Sequence, residues 1–283
     1  MDTIIAHVHL RGLWDCLSAI YALTFDDKHN SATHEPCEHC LLTSNASSQA
    51  RPISPPFKPA GESGYSCYID FQSRIYLISW ENTMQYPSLA AFPRINGSVR
   101  PIVLSDTMAN ALAASALLNY GTDGHVRCSH VGPLPIIKMC HPNKTSRLRI
   151  QHEFEMLKEM GHRALPVPLF GNEPMVDDEG IFGYRMELLT LIDFSALGAV
   201  SNDLKAIVDR MHDCGLSHGD LNPSNIMRTS SGSLVMIDPS SSGLLGEEIP
   251  DYIMSQQYES GVFCTTADEK YLKMFFGRTA ARC

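Results

Sequence analysis

Positive charge is scarce in this chain. Lys and Arg number 22 against 31 Asp and Glu, leaving a formal charge of −9. No basic footprint of the kind that grips nucleic acid stands out, so no nucleic-acid partner is expected. Long apolar runs are missing as well. None approaches the roughly 18–20 residues of a membrane span, and the first 22 residues show no basic start before an apolar core. No membrane partner is expected, and the expected location is cytoplasmic. The nine cysteines are odd in number and scattered, which excludes the dense disulfide framework of a small secreted scaffold and points to reduced thiols. No internal repeat occurs. Asn45, Asn96 and Asn143 open N-x-S/T triplets, which matter only in a secretory compartment and are read as incidental.

What remains is an ordinary folded composition, 44% apolar and 19% charged, in 283 residues. That is enough for one large domain or a two-lobed one. Residues 26–64 shift to His, Ser, Pro, Asn and Cys and end in "ARPISPPFKPAGESG", where repeated prolines remove backbone donors and predict a loop or linker. Before it, "LWDCLSAIYALTF" has helical spacing; after it, "YSCYIDFQSRIYLISW" reads as a hairpin. Further on, "SDTMANALAASALL" predicts a helix, "GTDGHVRCSHVGPLPIIKMC" two strands and a turn, and "SRLRIQHEFEMLKEMG" a second helix. Within the proline-rich region, His34, Cys37, His39 and Cys40 offer nitrogen and sulfur ligands. A tetrahedral zinc site wants matched ligand pairs, and this lone cluster reads as a solvated loop.

The densest chemistry lies in "SHGDLNPSNIM" (217–227), followed by "LVMIDPS". "LKAIVDRMHDCG" ahead of it places Leu204, Ile207, Val208 and Met211 on one buried helix face, with Gly215 where the helix stops. Asp220, Asn225 and Asp238 then share one site near a strand pair. A carboxylate can orient a reacting hydroxyl, and carboxylate and amide oxygens suit a hard divalent cation.

These residues resemble the protein-kinase-like phosphotransferases, which include protein kinases and aminoglycoside-type small-molecule kinases. "HGDLNPSN" with "MIDPS" is similar to the H-x-D-x-x-x-x-N loop and the strand ending in a metal-binding Asp. The resemblance implies that Asp220 orients the acceptor hydroxyl, that Asn225 and Asp238 hold magnesium, and that His218 is the structural histidine of the loop. "PIIKM" and "HEFEMLKEM" offer the Lys138–Glu153 pair that steadies the ATP phosphates, with Glu155 as the rival acid. "FGYRMELL" resembles the adenine hinge, with backbone groups at Glu187 and Leu189 as contacts and Met186 guarding the pocket. Gly121 and Gly124 are similar to the later glycines of the phosphate-covering loop, whose first glycine is here Asn119.

The implied fold is α+β and bilobal. It comprises an N-terminal extension (1–99), a small β-rich N-lobe (100–187) and a shortened helical C-lobe (188–283). Pro239 and Ser240 follow the metal Asp in place of Phe and Gly, no A-P-E element occurs, and "TADEKYLKMFFG" is the one helix left to brace the catalytic loop, through Asp268 or alternatively Asp251. The implied activity is transfer of the γ-phosphoryl group of ATP, with Mg2+, to a hydroxyl. A small-molecule acceptor is slightly favoured over the protein acceptor of a minimal Ser/Thr kinase, and a nucleotide-binding pseudokinase is the third reading.

Overall fold

The computed structural model describes residues 49–59, 63–81, 86–129, 131–192, 197–253, 258 and 261–276. The helix expected in "LWDCLSAIYALTF" and the cluster of His34, Cys37, His39 and Cys40 lie outside the described residues. The proline-rich stretch corrects the expectation of a linker where it is described. Strand β1 (Arg51–Pro52) pairs with β2 (Tyr65–Phe71), and Phe57 and Ser66 exchange backbone bonds of 2.8 and 2.7 Å. Pro52 sits at the edge of the sheet, where a missing N–H leaves no ladder partner stranded. Neighbouring Ile53 donates to the Tyr68 carbonyl and is fully buried.

The expected hairpin joins β2 to β3 (Arg74–Trp80) through Gln72 and Ser73, both at positive φ (52° and 56°). A turn of that hand matches the twist of the paired strands. With β4 (Ser98–Pro101) these strands form a sheet in the order β1-β2-β3-β4. Alternation along the strands buries both faces. Tyr68 and Ile75 pack with Ile53 and Leu112, while Cys67, Ile69, Ile78 and Trp80 form a separate core.

Helix α1 (Asp106–Ala113) is shorter than expected. Ser105 caps it by accepting from Met108 N at 3.2 Å, but the chain leaves it at Ala114, and β5 (Ser115–Tyr120) pairs with β6 (Gly124–Ser129). Strand pairing overrides the helical preference of "ASALL" there. β7 (Ile136–Cys140) follows, then α2 (Lys144–His162), which Asn143 caps by accepting from Ser146 N at 2.9 Å. With β8 (Met175–Asp177) and β9 (Gly180–Met186) the second sheet runs β5-β6-β7-β9-β8. All five residues of β7 are buried, Lys138 included. Ile150, Phe154 and Leu157 of α2 pack on Ile137, Met139, Phe182 and Tyr184 of this sheet.

The two sheets are tied by Arg127 on β6. It donates to Asp70 at 2.8 Å and, through its other nitrogens, to Ser115 and Leu112. The chain continues through β10 (Thr190–Leu191) and α3 (Leu197–Asp213), beyond which Gly215 takes φ 76°. Next come β11 (Leu216–Ser217), a single 3-10 turn (Pro223–Asn225), β12 (Ile226–Arg228) and β13 (Leu234–Met236). A second 3-10 turn (Pro239–Ser241), β14 (Gly243–Leu244) and α4 (Thr266–Phe276) complete the described chain. Leu204, Val208 and Met211 of α3 meet Leu221, Ile226 and Met236 in one core. The architecture is mixed α+β, and the loop at 218–225 lies between the end of α3 and the β12–β13 pair. None of the described helices is long and apolar enough to cross a membrane.

Candidate active site

Lys138 is delivered by a buried central strand and Glu153 by the buried face of α2. Their side chains meet at 2.7 Å, while Lys138 Nζ also donates to Asp238 Oδ1 at 2.9 Å. Three elements, one of them 100 residues distant in sequence, therefore converge on one ammonium. Burial works against its charge, but Asp238 and Glu153 outweigh that and hold its pKa above the usual lysine range. Asp238 is likewise opposed by burial, yet the Lys138 ammonium pulls it below the ordinary carboxylate range. It occupies the left-handed region (φ 58°, ψ 52°), which Asp tolerates better than most residues.

Glu153 is fully buried. Its Oε1 accepts from Lys138 and from Tyr184 Oη at 2.6 Å, and Oε2 has no partner among the described residues. Desolvation pushes its pKa from an ordinary 4.5 to about 7, against the pull of Lys138. A raised folded-state pKa means that folding takes up a proton. The stability from this group is fully present below about 4.5 and is lost as pH rises through about 7. Glu153→Gln removes that titration, so the melting-temperature difference between wild type and variant is expected to move in favour of wild type as pH falls from about 8 to about 5. A difference constant across that range would show that Glu153 does not titrate there.

The loop after α3 is held rigidly. His218 is buried, and its Nε2 donates to the Ile237 carbonyl at 3.0 Å, which leaves Nδ1 to accept from Asp220 N at 3.3 Å. It is the structural histidine the resemblance implied. Asn225 Nδ2 donates to the Asp220 carbonyl at 2.8 Å and to Asp220 Oδ2 at 3.1 Å. Its amide nitrogen is thus committed to the loop, and its oxygen is the end suited to a cation. Asp268 is the brace. Fully buried on α4, it accepts from Ser217 Oγ, His218 N and His212 Nε2, each at 3.0 Å, and from Gly219 N at 2.8 Å. Asp251, the alternative, is exposed.

Gly121 and Gly124 frame the β5–β6 turn, closed by Gly121 N to Gly124 O at 2.8 Å. Neither needs a positive φ. Gly124 is instead required by space, since a Cβ there would lie 2.2 Å from the Met139 carbonyl. His141 donates to the Gly121 carbonyl at 2.9 Å, its pKa pushed down to about 4 by burial, so its ring is neutral. At the turn tip, Asp123 pairs with Arg149 of α2, whose Nε also holds the Tyr252 carbonyl. At the far edge, Glu187 exchanges bonds with Leu169, donating from its N–H at 2.8 Å and accepting on Oε1 at 2.7 Å. The Glu187 carbonyl and the Leu189 N–H have no partner among the described residues. Met186 is buried at the end of β9.

The RIO domain family matches residues 136–243, from the strand of Lys138 to the start of β14. RIO domains are an atypical protein-kinase-like family. Over that span the chain is protein-kinase-like. No curated protein matches it. The match supports a kinase-like, ATP-binding fold, and the RIO family suggests use of ATP and a divalent metal. Among the described residues no three His, Cys, Asp or Glu side chains converge on a metal site. Asp238 with the Asn225 oxygen is a sparse, all-oxygen donor set of the kind that suits magnesium, which is commonly held by one or two protein oxygens together with nucleotide phosphates.

Sequence reasoning missed four contributors to this kinase-like site. They are Tyr184, which fixes Glu153; Arg149 with Asp123, which tethers the turn; and Tyr271, whose hydroxyl donates to Asp220 Oδ1 at 2.9 Å. Tyrosines and surface-type ion pairs carry no local spacing signal. Only Tyr271 stands in a readable relation, one helical turn beyond Asp268.

Proposed function

We propose that the chain is an ATP- and magnesium-dependent phosphotransferase moving the γ-phosphoryl group of ATP to a hydroxyl. The observation that carries this reading is the convergence of Glu153, Lys138 and Asp238, with Asp220 and Asn225 bonded to each other on the neighbouring loop. Lys138, held by carboxylates from two elements, orients the α- and β-phosphates without sampling rotamers. Asp238 and the Asn225 oxygen would hold magnesium, which would supply neutralisation of phosphate charge. Asp220 positions the acceptor hydroxyl. The Glu187 carbonyl and Leu189 N–H contact adenine, and Gly121 and Gly124 admit the phosphates beneath the β5–β6 turn. In this reading the chain is bilobal, divided into 1–99, 100–187 and 188–283, and works in the cytoplasm. Positioning and charge neutralisation supply most of the rate in this class.

A small-molecule acceptor remains the first choice. The segment beyond Asp238 is spent on internal contacts: His152 donates to the Ser242 carbonyl at 2.8 Å, and Tyr258 Oη donates to the Ser241 carbonyl at 2.8 Å. Its described residues 241 and 242 are thereby engaged internally rather than open to an extended peptide. The second reading is a minimal Ser/Thr protein kinase, and the RIO match is compatible with either acceptor. Against a pseudokinase stands a complete and preassembled set of polar groups.

The test is thermal melting with ATP, with and without Mg2+, beside Asp238→Ala. A ligand at about 100 times its Kd stabilises by about 2.7 kcal/mol. A magnesium-dependent rise lost in the variant is expected, followed by ADP release with a labelled small-molecule or protein product. No rise at about millimolar ATP, where binding would register by linkage, would sink the proposal.

A further inference from the structure

We propose that Tyr271 is the positioning residue of Asp220, an inference that rests on the reading of Asp220 as the residue that orients the acceptor. The two carboxylate oxygens of Asp220 are held from opposite elements. Tyr271 Oη on α4 donates to Oδ1 at 2.9 Å, and Asn225 Nδ2 donates to Oδ2 at 3.1 Å. One donor leaves a carboxylate free to swing about the other oxygen. Two donors on different oxygens fix the plane of the group and the direction of its remaining lone pairs.

The stem of Tyr271 is anchored too. Tyr271 packs against the core that holds Leu204, Val208, Met211 and Leu221, so its hydroxyl is delivered on a short side chain already ordered by burial. Position on the helix completes the argument. Asp268 and Tyr271 are three residues apart and share one face of α4. Asp268 holds the loop at Ser217, His218 and Gly219, and Tyr271 holds the next side chain along, Asp220. One helix therefore sets both the path of the loop and the aim of its carboxylate. A tyrosine present only for packing would turn its hydroxyl to water. Here it ends on the carboxylate that the reaction uses.

Tyr271→Phe keeps the ring and removes the donor. The rate at neutral pH should fall about tenfold to a hundredfold through loss of aim. Nucleotide affinity should change by less than about twofold, because the lost interaction acts only on the reacting group. The experiment measures ADP release and, by calorimetry, MgATP binding for wild type, Tyr271→Phe, Asp220→Asn and the double variant. In the Asp220→Asn background the Tyr271 substitution should lower kcat little further, because its target carboxylate has gone.

A folded Tyr271→Phe protein with the wild-type kcat would overturn the positioning role while leaving the phosphotransferase reading intact. Additive losses in the double variant would overturn it in the same way. Wild-type protein that releases no ADP would overturn both. If Tyr271→Phe does not fold, 3-fluorotyrosine at position 271 retains ring and hydroxyl and is a stronger donor. Its 19F resonance should then shift when Asp220→Asn is added, and a resonance that stays in place would count against the proposal.

Discussion

Asp268→Ala is expected to destabilise the protein by about 4 kcal/mol or more and to remove ATP turnover with it. The carboxylate is fully buried and accepts from two backbone N–H groups, a serine hydroxyl and His212. Alanine leaves the His218 and Gly219 N–H groups without an acceptor in a closed interior, at about 1–3 kcal/mol for each stranded donor. The hydroxyl of Ser217 loses a partner as well, though it keeps Tyr258 at 3.1 Å. Asp268→Asn retains one acceptor oxygen and should fall between alanine and wild type. Urea unfolding measures the difference. A change below about 1 kcal/mol, the size of a single ordinary hydrogen bond, would mean that the loop is held elsewhere.

Gly219 is the second sensitive point. Protein kinases have an arginine in the place of this glycine, yet here the residue sits at φ 76°, and an added Cβ would lie 2.1 Å from Tyr258 Oη and 2.4 Å from the Ser241 carbonyl. The tyrosine could swing aside, but the backbone carbonyl could not. Gly219→Ala combines left-handed strain of about 1–2 kcal/mol with overpacking of about 1–3 kcal/mol. Gly219→Arg is expected to be worse and to prevent folding of the loop. Because the strain falls between His218 and Asp220, ATP turnover should drop even where Gly219→Ala still melts cooperatively. Turnover and melting equal to wild type would show that the 217–243 segment can move apart.

The glycine also bears on how the site is set. Ser242 Oγ donates to the His218 carbonyl at 3.0 Å, and His152 of α2 holds the Ser242 carbonyl. The segment after Asp238 is therefore wedged between the loop and α2, with Pro239 and Ser240 buried in a 3-10 turn. The sequence shows Pro239 and Ser240 where the resemblance would have Phe and Gly, and the packing shows how that pair is seated.

Much of the candidate site is legible in the sequence. His218, Asp220, Asn225 and Asp238 lie within one short stretch, so their proximity follows from chain connectivity and a single hairpin. Lys138 on an apolar strand and Glu153 on an amphipathic helix were legible because each sits at a position whose neighbours declare its face. The β2–β3 hairpin and α2 were equally plain. The errors have their own logic. "ASALL" carries helical preference but pairs as β5, because a sheet partner outweighs a weak local bias. The prolines near residue 52 forbid a central strand but not an edge.

The sequence by itself determined the order of the elements that carry the candidate site and the identity of Lys138, Glu153, Asp220, Asn225 and Asp238 as candidates, since these depend on short spacings and local periodicity. Only the tertiary structure decided which acid braces the loop, that Tyr184 and Tyr271 hold the carboxylates of Glu153 and Asp220, and that Gly219 admits no side chain. Those outcomes depend on contacts between residues tens of positions apart, which burial and close approach select and no local pattern encodes.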